Sequence, residues 1–385
     1  MSCPTLPPTR PARRIVRFGA VGLLLGLALS SCLEPARPAF APQDRFYLVE
    51  GRIQTGAPSE VRIRVSDFRS VSLTFDPVSG ADVSSVADDG RRVAWAEVAP
   101  QSGAYRPPPE FSPSPGERWH LEATLPDGTR AVSDPEAVPA PAVARNLDVR
   151  FEQEAEYDEG RRRFIPRFEL YLDYDDPSGV SNYYAYDYRY WEETVVCASC
   201  ENGFYVNGAC VPNPPGQPYF LGYDYACDSP ECYTITPGNQ ARYGTDEFTD
   251  GLTVTGFPLG GIEFQALGGL LAEGQVVAIS AEAYRYGRVI ADLTTGSSGL
   301  NAVTPAALNG NVRNADPAGV EVLGYVAVAA FAATRTYFVR TPETGQPLPL
   351  DPPPRYQPVP PPGVPPLAPC DIPGRRTSVK PAGWP

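Results

Sequence analysis

The chain has 385 residues, a formal net charge of −13, 46 prolines and one histidine. This acidic balance excludes most nucleic-acid-binding proteins, which need a basic face to contact phosphates. The length allows two domains with cores of their own, and the abundance of proline and tyrosine favours strands and turns over helices.

Residues 1–31 are predicted to be a secretory signal. Several arginines precede an apolar run, residues 18–29, which is too short to span a bilayer as a helix. The following Ser30-Ser31-Cys32 resembles the lipobox of bacterial lipoproteins, so we expect Cys32 to be acylated and to start the mature chain. An ordinary cleaved signal is the alternative. The Arg13-Arg14 pair is compatible with twin-arginine export, although we favour the Sec route.

Residues 32–43 are predicted to be a tether, and residues 44–141 an immunoglobulin-like β-sandwich. Short stretches rich in β-branched and aromatic residues alternate with turn signals at Asp89-Gly90 and Asp127-Gly128. Short strands with regular turns are typical of this architecture. The predicted strands are residues 46–53, 61–65, 71–75, 81–87, 93–98 and 119–125.

A larger β-rich domain is predicted for residues 142–341, organised around the segment NYYAYDYRYW, residues 182–191. Strand alternation places four tyrosines on one face. Such a stripe is either core, with hydroxyls bonded at its edge, or a platform on which a sugar or protein stacks. We favour the core, and the candidate binding surface under the other interpretation is Tyr184, Tyr186, Tyr188 and Tyr190.

The rest of this domain is predicted from periodicity. Residues 147–157 and 163–173 form a hairpin, and residues 276–279 form a buried strand. Ser280 caps one helix, residues 281–294. One or two further strands occupy residues 323–340, and residues 342–385 form a proline-rich C-terminal arm.

Three acids cluster after the hairpin, at Asp173, Asp175 and Asp176. Carboxylates suit calcium, but their spacing does not fit the twelve-residue calcium loop. We therefore expect solvated acids in a turn and predict no metal site.

Six cysteines remain after Cys3 leaves with the signal and Cys32 takes the lipid, and most lie in an insert, residues 192–240. An even number in an exported chain indicates disulfides. Zinc is the alternative, because Cys197-Ala-Ser-Cys200 has ligand spacing. A redox-active pair is less favoured, since no thioredoxin-like pattern surrounds it. The disulfide candidates, whose pairing stays open, are Cys197, Cys200, Cys210, Cys227, Cys232 and Cys370.

Six short motifs follow one another along the chain: LVEG (48–51), NYYAYDYRYW (182–191), AEAYRYGRVI (281–290), NGNVRNADP (309–317), GYVAVAA (324–330) and KPAGW (380–384). In this order they resemble an uncharacterised family of bacterial outer-membrane lipoproteins commonly encoded beside TonB-dependent receptors. The resemblance implies an accessory lipoprotein at the cell surface, paired with an uptake channel, and it brings no established catalytic residues. The insert is longer than expected for the family.

No motif for catalysis or for a cofactor is recognised. His120 alternates with Trp119 and Leu121 as a strand residue would, and G-x-S-x-G, phosphate-binding and H-E-x-x-H patterns are missing from the sequence. A carboxylate pair for glycoside hydrolysis depends on spatial proximity, on which the sequence is silent. We therefore expect a non-enzymatic lipoprotein that binds a ligand or partner in TonB-dependent uptake. A structural or adhesive envelope protein is the alternative, followed by an enzyme.

Overall fold

A computed structural model describes the chain from Arg45 onward, with gaps. The predictions for the signal, the tether and Cys32, and for most of the proline-rich arm, fall outside it. The described part is mainly β with one helix, which confirms the predicted fold class. The described residues are 45–69, 72–194, 198–199, 203–206, 209–212, 225–226, 231–238, 241–295, 310–348 and 370–385.

The first nine strands form two layers. One layer holds β2 between β1 and the successive strands β3 and β6. The other runs β5-β4-β7, with β8 and β9 both beside β7. Their bounds are β1 Tyr47–Thr55, β2 Glu60–Arg69, β3 Ser72–Pro77, β4 Asp82–Ala87, β5 Arg92–Glu97, β6 Ala104–Arg106, β7 Arg118–Thr124, β8 Arg130–Ser133 and β9 Glu136–Ala137.

Every second side chain of these strands points between the two layers and packs in an apolar core. Trp119 and Leu121 of β7 are each 1% exposed and pack with Ile63 and Val83 from the neighbouring strands. The two predicted Asp-Gly turns are present, with both glycines at φ +88°, a conformation that side chains with a Cβ rarely adopt. Strands β6, β8 and β9 were missed because they are short and lack clear alternation.

The remaining elements include the predicted hairpin, β10–β11, in antiparallel register. Their bounds are β10 Val143–Asp158, β11 Arg163–Asp175, β12 Tyr183–Glu193, β13 Ala198–Ser199, β14 Gly203–Val206, β15 Ala209–Pro212, β16 Tyr225–Ala226, β17 Tyr233–Pro237, β18 Arg242–Thr245, β19 Thr253–Glu263, β20 Gly268–Ile279, α1 Ala281–Thr295, β21 Val312–Asn314, β22 Val322–Leu323, β23 Val326–Arg340 and β24 Arg376–Thr377.

A central sheet joins the early and late parts of the chain. Strand β1 pairs with β2 on one side and runs parallel to β23 on the other. Strand β23 pairs with β20, which pairs with β12, and β17 and β18 continue along β12. The predicted boundary at residue 141 falls between β9 and β10.

A second core lies between this sheet and the three-stranded sheet β10-β11-β19. Phe168, Leu170 and Leu172 of β11 are buried there, as their shared face predicts. Helix α1 covers part of the opposite face of the central sheet, where Ala283 packs near Ala185 and Val277. No helix in the described part is long and apolar enough to cross a membrane.

Candidate functional site

A cavity of about 850 Å³ lies where helix α1, β9 and the start of β23 meet. This volume is within the range of small-ligand sites. The described residues that line it are Arg118, Asp134, Pro135, Glu136, Ala137, Pro139, Ser181, Tyr183, Ile279, Ser280, Ala281, Glu282, Arg285, Tyr286, Val289, Gly310, Asn311 and Tyr325.

The floor of the cavity is organised by Glu136, which is 8% exposed. Its Oε1 accepts hydrogen bonds from the Tyr325 hydroxyl and, at 3.4 Å, from Asn311 Nδ2, and its Oε2 accepts one from the Val328 backbone N–H at 3.0 Å. Ser280 adds a further side-chain bond. Burial raises the pKa of Glu136 despite these bonds, because the described groups that bond the carboxylate are all neutral.

The same polar groups join β9, β23 and helix α1. Ser280 Oγ accepts the Ala283 N–H at 3.0 Å, which confirms the predicted helix cap. Asn311 bonds both backbone groups of Val326, at 2.9 and 3.0 Å. Burial, followed by the charge of Glu136, raises the pKa of Tyr325, so this hydroxyl stays a donor. The floor is therefore a fixed set of mutually bonded groups.

The rim carries charges in pairs and half-buried aromatic rings. Arg285 bonds Glu282 at 2.5 Å, and Arg118 lies 3.1 Å from Asp88. The Tyr286 ring lies 4.6 Å from the Tyr325 ring. Paired charges and aromatic faces together favour an uncharged or weakly charged ligand over a phosphate or a metal ion.

The residues at the floor of this cavity are not among the predicted site residues. Asn311 and Tyr325 lie within two of the motifs on which the family resemblance rests, and that was the available signal. Glu136 follows Asp134-Pro135 in a stretch without a recognisable pattern. Its role depends on β9 lying beside β23, which no local feature of the sequence indicates.

The tyrosine stripe lies in the core. Tyr184, Tyr186 and Tyr188 are 0%, 2% and 5% exposed, while Tyr190 is half-buried. The Tyr186 hydroxyl bonds that of Tyr174 at 2.7 Å, and the Tyr188 hydroxyl donates to Gly261 O at 2.9 Å. Burial raises the pKa of Tyr186 far above its usual range. These three rings are core residues with bonded hydroxyls and do not form an exposed platform.

The acids that follow the hairpin are not all solvated, so that expectation was wrong for Asp176, which is 6% exposed. It accepts the Tyr184 hydroxyl on Oδ1 and the Gly251 N–H, at 2.8 Å, on Oδ2. Among the described residues, Asp176, Asp246 and Asp250 offer carboxylate oxygens within 4.8 Å of one another, a spacing that suits a divalent cation. Their described partners are backbone N–H groups and neutral side chains. These hydrogen bonds give the two buried carboxylates a structural role in holding the loops.

The cysteine prediction is confirmed for one pair: Cys232 and Cys370 form a disulfide with S–S 2.09 Å. It fastens the C-terminal segment to the body, where β24 pairs with β17 and Trp384 packs 5.0 Å from Tyr233. Cys210 lies in β15, without a described side chain. The remaining candidates, Cys197, Cys200 and Cys227, lie outside the described residues.

His120 is a residue of β7, as predicted, and its Nε2 lies 3.3 Å from Glu122 Oε1. It does not line the cavity beside α1. The histidine and the cavity are thus separate features of the described structure.

Comparison with known proteins identifies the family of this chain. Residues 34–335 match the family described as "Domain of unknown function (DUF4249)". No curated protein matches. A crystal structure of a DUF4785 family protein from Legionella pneumophila subsp. pneumophila is similar over 60% of this chain and 52% of that one, with 10% identity and a TM-score of 0.18. This chain spans about half the length of that protein, and so low a TM-score does not define a shared fold.

Proposed function

This chain belongs to the DUF4249 family, and we propose that it is a non-enzymatic outer-membrane lipoprotein that binds a ligand or protein partner in TonB-dependent nutrient uptake. Acylation of Cys32 supplies the membrane anchor, and a TonB-dependent receptor in the same membrane is the proposed partner. A surface-exposed, lipid-anchored position follows from that pairing.

The cavity beside helix α1 is the observation that carries the binding proposal. Both carboxylate oxygens of Glu136 already accept hydrogen bonds, so this group holds the walls in place. A general base needs a free lone pair in reach of a substrate proton. A fixed, roomy cavity with saturated polar groups suits binding better than proton transfer.

Affinity purification from membranes tests the proposal. Ala137 is exposed at the cavity, so Ala137→Trp fills the cavity without disturbing the core. Ala94→Trp, at an exposed position of β5, is the matched control. We expect the parent and Ala94→Trp to retain a receptor that Ala137→Trp loses. Equal retention by all three proteins contradicts binding at the cavity, and retention of none favours a structural or adhesive role.

Membrane fractionation tests the anchor separately. We expect Cys32→Ala to move the protein from the membrane fraction to the soluble one, because acyl chains contribute about 0.8 kcal/mol per buried methylene. Retention of Cys32→Ala in the membrane contradicts the proposal.

A further inference from the structure

Two neighbouring loops, residues 177–182 and 246–252, expose apolar side chains. We call them the paired loops. Phe248 is 86% exposed, Leu252 57% and Val180 52%. Exposed apolar residues scattered singly are ordinary, but these three occur on two loops that are hydrogen-bonded to each other.

The paired loops hold each other in place. Asp176 N–H donates to Leu252 O at 3.0 Å, and Gly251 N–H returns a bond to the Asp176 carboxylate at 2.8 Å. Gly179 N–H donates to Asp250 at 2.8 Å, and Asn182 N–H donates to Asp246 at 2.8 Å. The exposed apolar side chains therefore project from a braced support.

The register places the start of β12, next to the paired loops, level with the end of β1, because Tyr184 and Thr55 align across the two strands between them. Strand β1 is parallel to β23, and two antiparallel pairings then make β12 parallel to β1. One loop leads into β12, and the other follows β18, whose Thr245 pairs with Tyr183 at the start of β12. Arg45, the first described residue, precedes β1 at the opposite end of that strand from Thr55.

The tether is long enough for the lipid and the paired loops to reach one bilayer together. Twelve residues lie between Cys32 and Arg45, and they span up to about 40 Å when extended. Thr55, which is level with the start of β12, lies eight residues along β1 from Tyr47, or about 26 Å. Strand β12 lies three strands to the side of β1, or about 14 Å. The distance from Tyr47 to the start of β12 is therefore about 30 Å, which is shorter than the extended length of the tether.

We infer that Val180, Phe248 and Leu252 insert into the interfacial region of the bilayer that carries the lipid anchor. The inference rests on the acylation of Cys32 proposed above. A specific protein interface needs about 800 Å² of complementary surface on each partner, more than three loop side chains provide. A fluid lipid interface accepts isolated apolar side chains to a depth of about 5–10 Å.

The charged residues near these side chains determine which lipid headgroups are favoured. Glu247 and Asp250 are exposed on the same loop, and like charges repel anionic headgroups. The surface therefore suits zwitterionic lipid. Docking by three side chains is weak by itself, but the lipid-anchored tether keeps the protein at a high local concentration near the bilayer. Under that condition, weak docking is enough to orient the body on the membrane.

Tryptophan fluorescence of the acylated full chain in phosphatidylcholine vesicles tests the inference. Phe248→Trp keeps an aromatic side chain at the tip, and Val379→Trp, at a position 71% exposed in the C-terminal segment, is the control. We expect brominated lipid to remove about half or more of the added emission at position 248, given insertion to about 5–10 Å, and to leave that at position 379 unchanged. Adding phosphatidylserine should reduce the quenching at position 248.

The same samples separate the two proposals. Flotation of the protein with the vesicles reports the anchor, and quenching reports docking. Flotation with no quenching at position 248 overturns docking and leaves the anchor standing, whereas failure to float overturns both. Protection of position 248 only in native membranes, by a crosslinked protein, overturns lipid docking in favour of a protein partner. In Leu252→Trp protein, adding Phe248→Ser should lower quenching severalfold, because one large apolar side chain is lost.

Discussion

Two buried carboxylates, one beside the central sheet and one within it, have pKa shifts of opposite direction. Glu136, at the cavity floor, is 8% exposed and accepts bonds from neutral groups. Glu273, in β20, is 2% exposed and lies between Arg189 of β12 and Arg335 of β23, its cross-strand neighbours. Each arginine bonds Glu273 at 2.7 Å.

Burial alone raises the pKa of either carboxyl, and the partners decide the outcome. The pKa of Glu136 is raised. At Glu273, bonds and charge from Arg189, with help from Gln275 and Arg335, outweigh burial, and its pKa is lowered. Depth of burial therefore does not predict the charge state of a carboxyl, and the identity of its donors does.

The Glu273 region is also where the C-terminal segment is fastened. Both arginines stack 4.9 Å from the centre of the Trp191 ring, and Arg335 donates to Ala382 O at 2.7 Å. The cavity floor has no such cover from the C-terminal segment among the described contacts. Variants can therefore perturb the two regions separately.

The largest expected effect comes from the disulfide that holds this segment. Changing Cys232 and Cys370 to Ser frees a loop with a sequence separation of 138, and we expect a loss of about 4 kcal/mol in the free energy of unfolding. Urea unfolding checks this value. Hydrogen exchange should rise more around Glu273 than around Glu136, because the C-terminal segment is fastened near Glu273. An equal rise at both places would contradict the separation of the two regions.

Glu273→Ala comes next. It leaves two arginines without their buried partner, which typically costs about 3–5 kcal/mol. We expect about 3 kcal/mol, at the low end of that range, because both guanidinium groups keep some contact with water. Exposed Glu282→Ala, which removes the surface pair with Arg285, is the control and should change stability little. Similar midpoints for both variants would refute a structural role for the network.

Glu136→Gln should have a smaller effect at neutral pH, about 1–2 kcal/mol, because an amide keeps one acceptor but presents N–H to the Val328 N–H. The pH dependence is the sharper test. Because the folded state raises the pKa of Glu136, its contribution to stability is complete below the unfolded pKa of about 4.5 and is lost as pH rises through the folded pKa.

Glu273 should show the opposite sign. Its lowered pKa gives stability that is present above the unfolded value and lost as pH falls through the folded one. Unfolding measured across pH for the parent and Glu136→Gln isolates the first contribution, and the parent against Glu273→Ala isolates the second. Slopes of the same sign would break the comparison.

The smallest effect is expected for Tyr325→Phe, about 1 kcal/mol, since one hydrogen bond to Glu136 is removed and the ring still packs against Tyr286. Combined with Glu136→Gln, the losses should not be additive, because the Tyr325 hydroxyl and the Val328 N–H bond the same carboxyl group. Full additivity in urea unfolding would show that the two groups act independently.

Local sequence determined much of the strand pattern. Alternation placed Tyr184, Tyr186 and Tyr188 on one buried face, the Asp-Gly pairs marked turns, and Ser280 marked the start of the helix. These features depend on neighbours within a few residues, so periodicity and turn chemistry reveal them. The even number of cysteines likewise indicates disulfides, but it does not indicate which cysteines pair.

Tertiary structure decided which polar side chains share a site. Glu136 meets Tyr325, 189 positions away, only because β9 lies beside β23, and Asp176 is buried only because the loop at residues 246–252 folds over it. Asp175, one residue earlier, pairs with Arg145 and stays partly exposed. Neighbouring carboxylates in the sequence can thus have different environments, because burial and donors come from distant strands whose pairing local sequence does not encode.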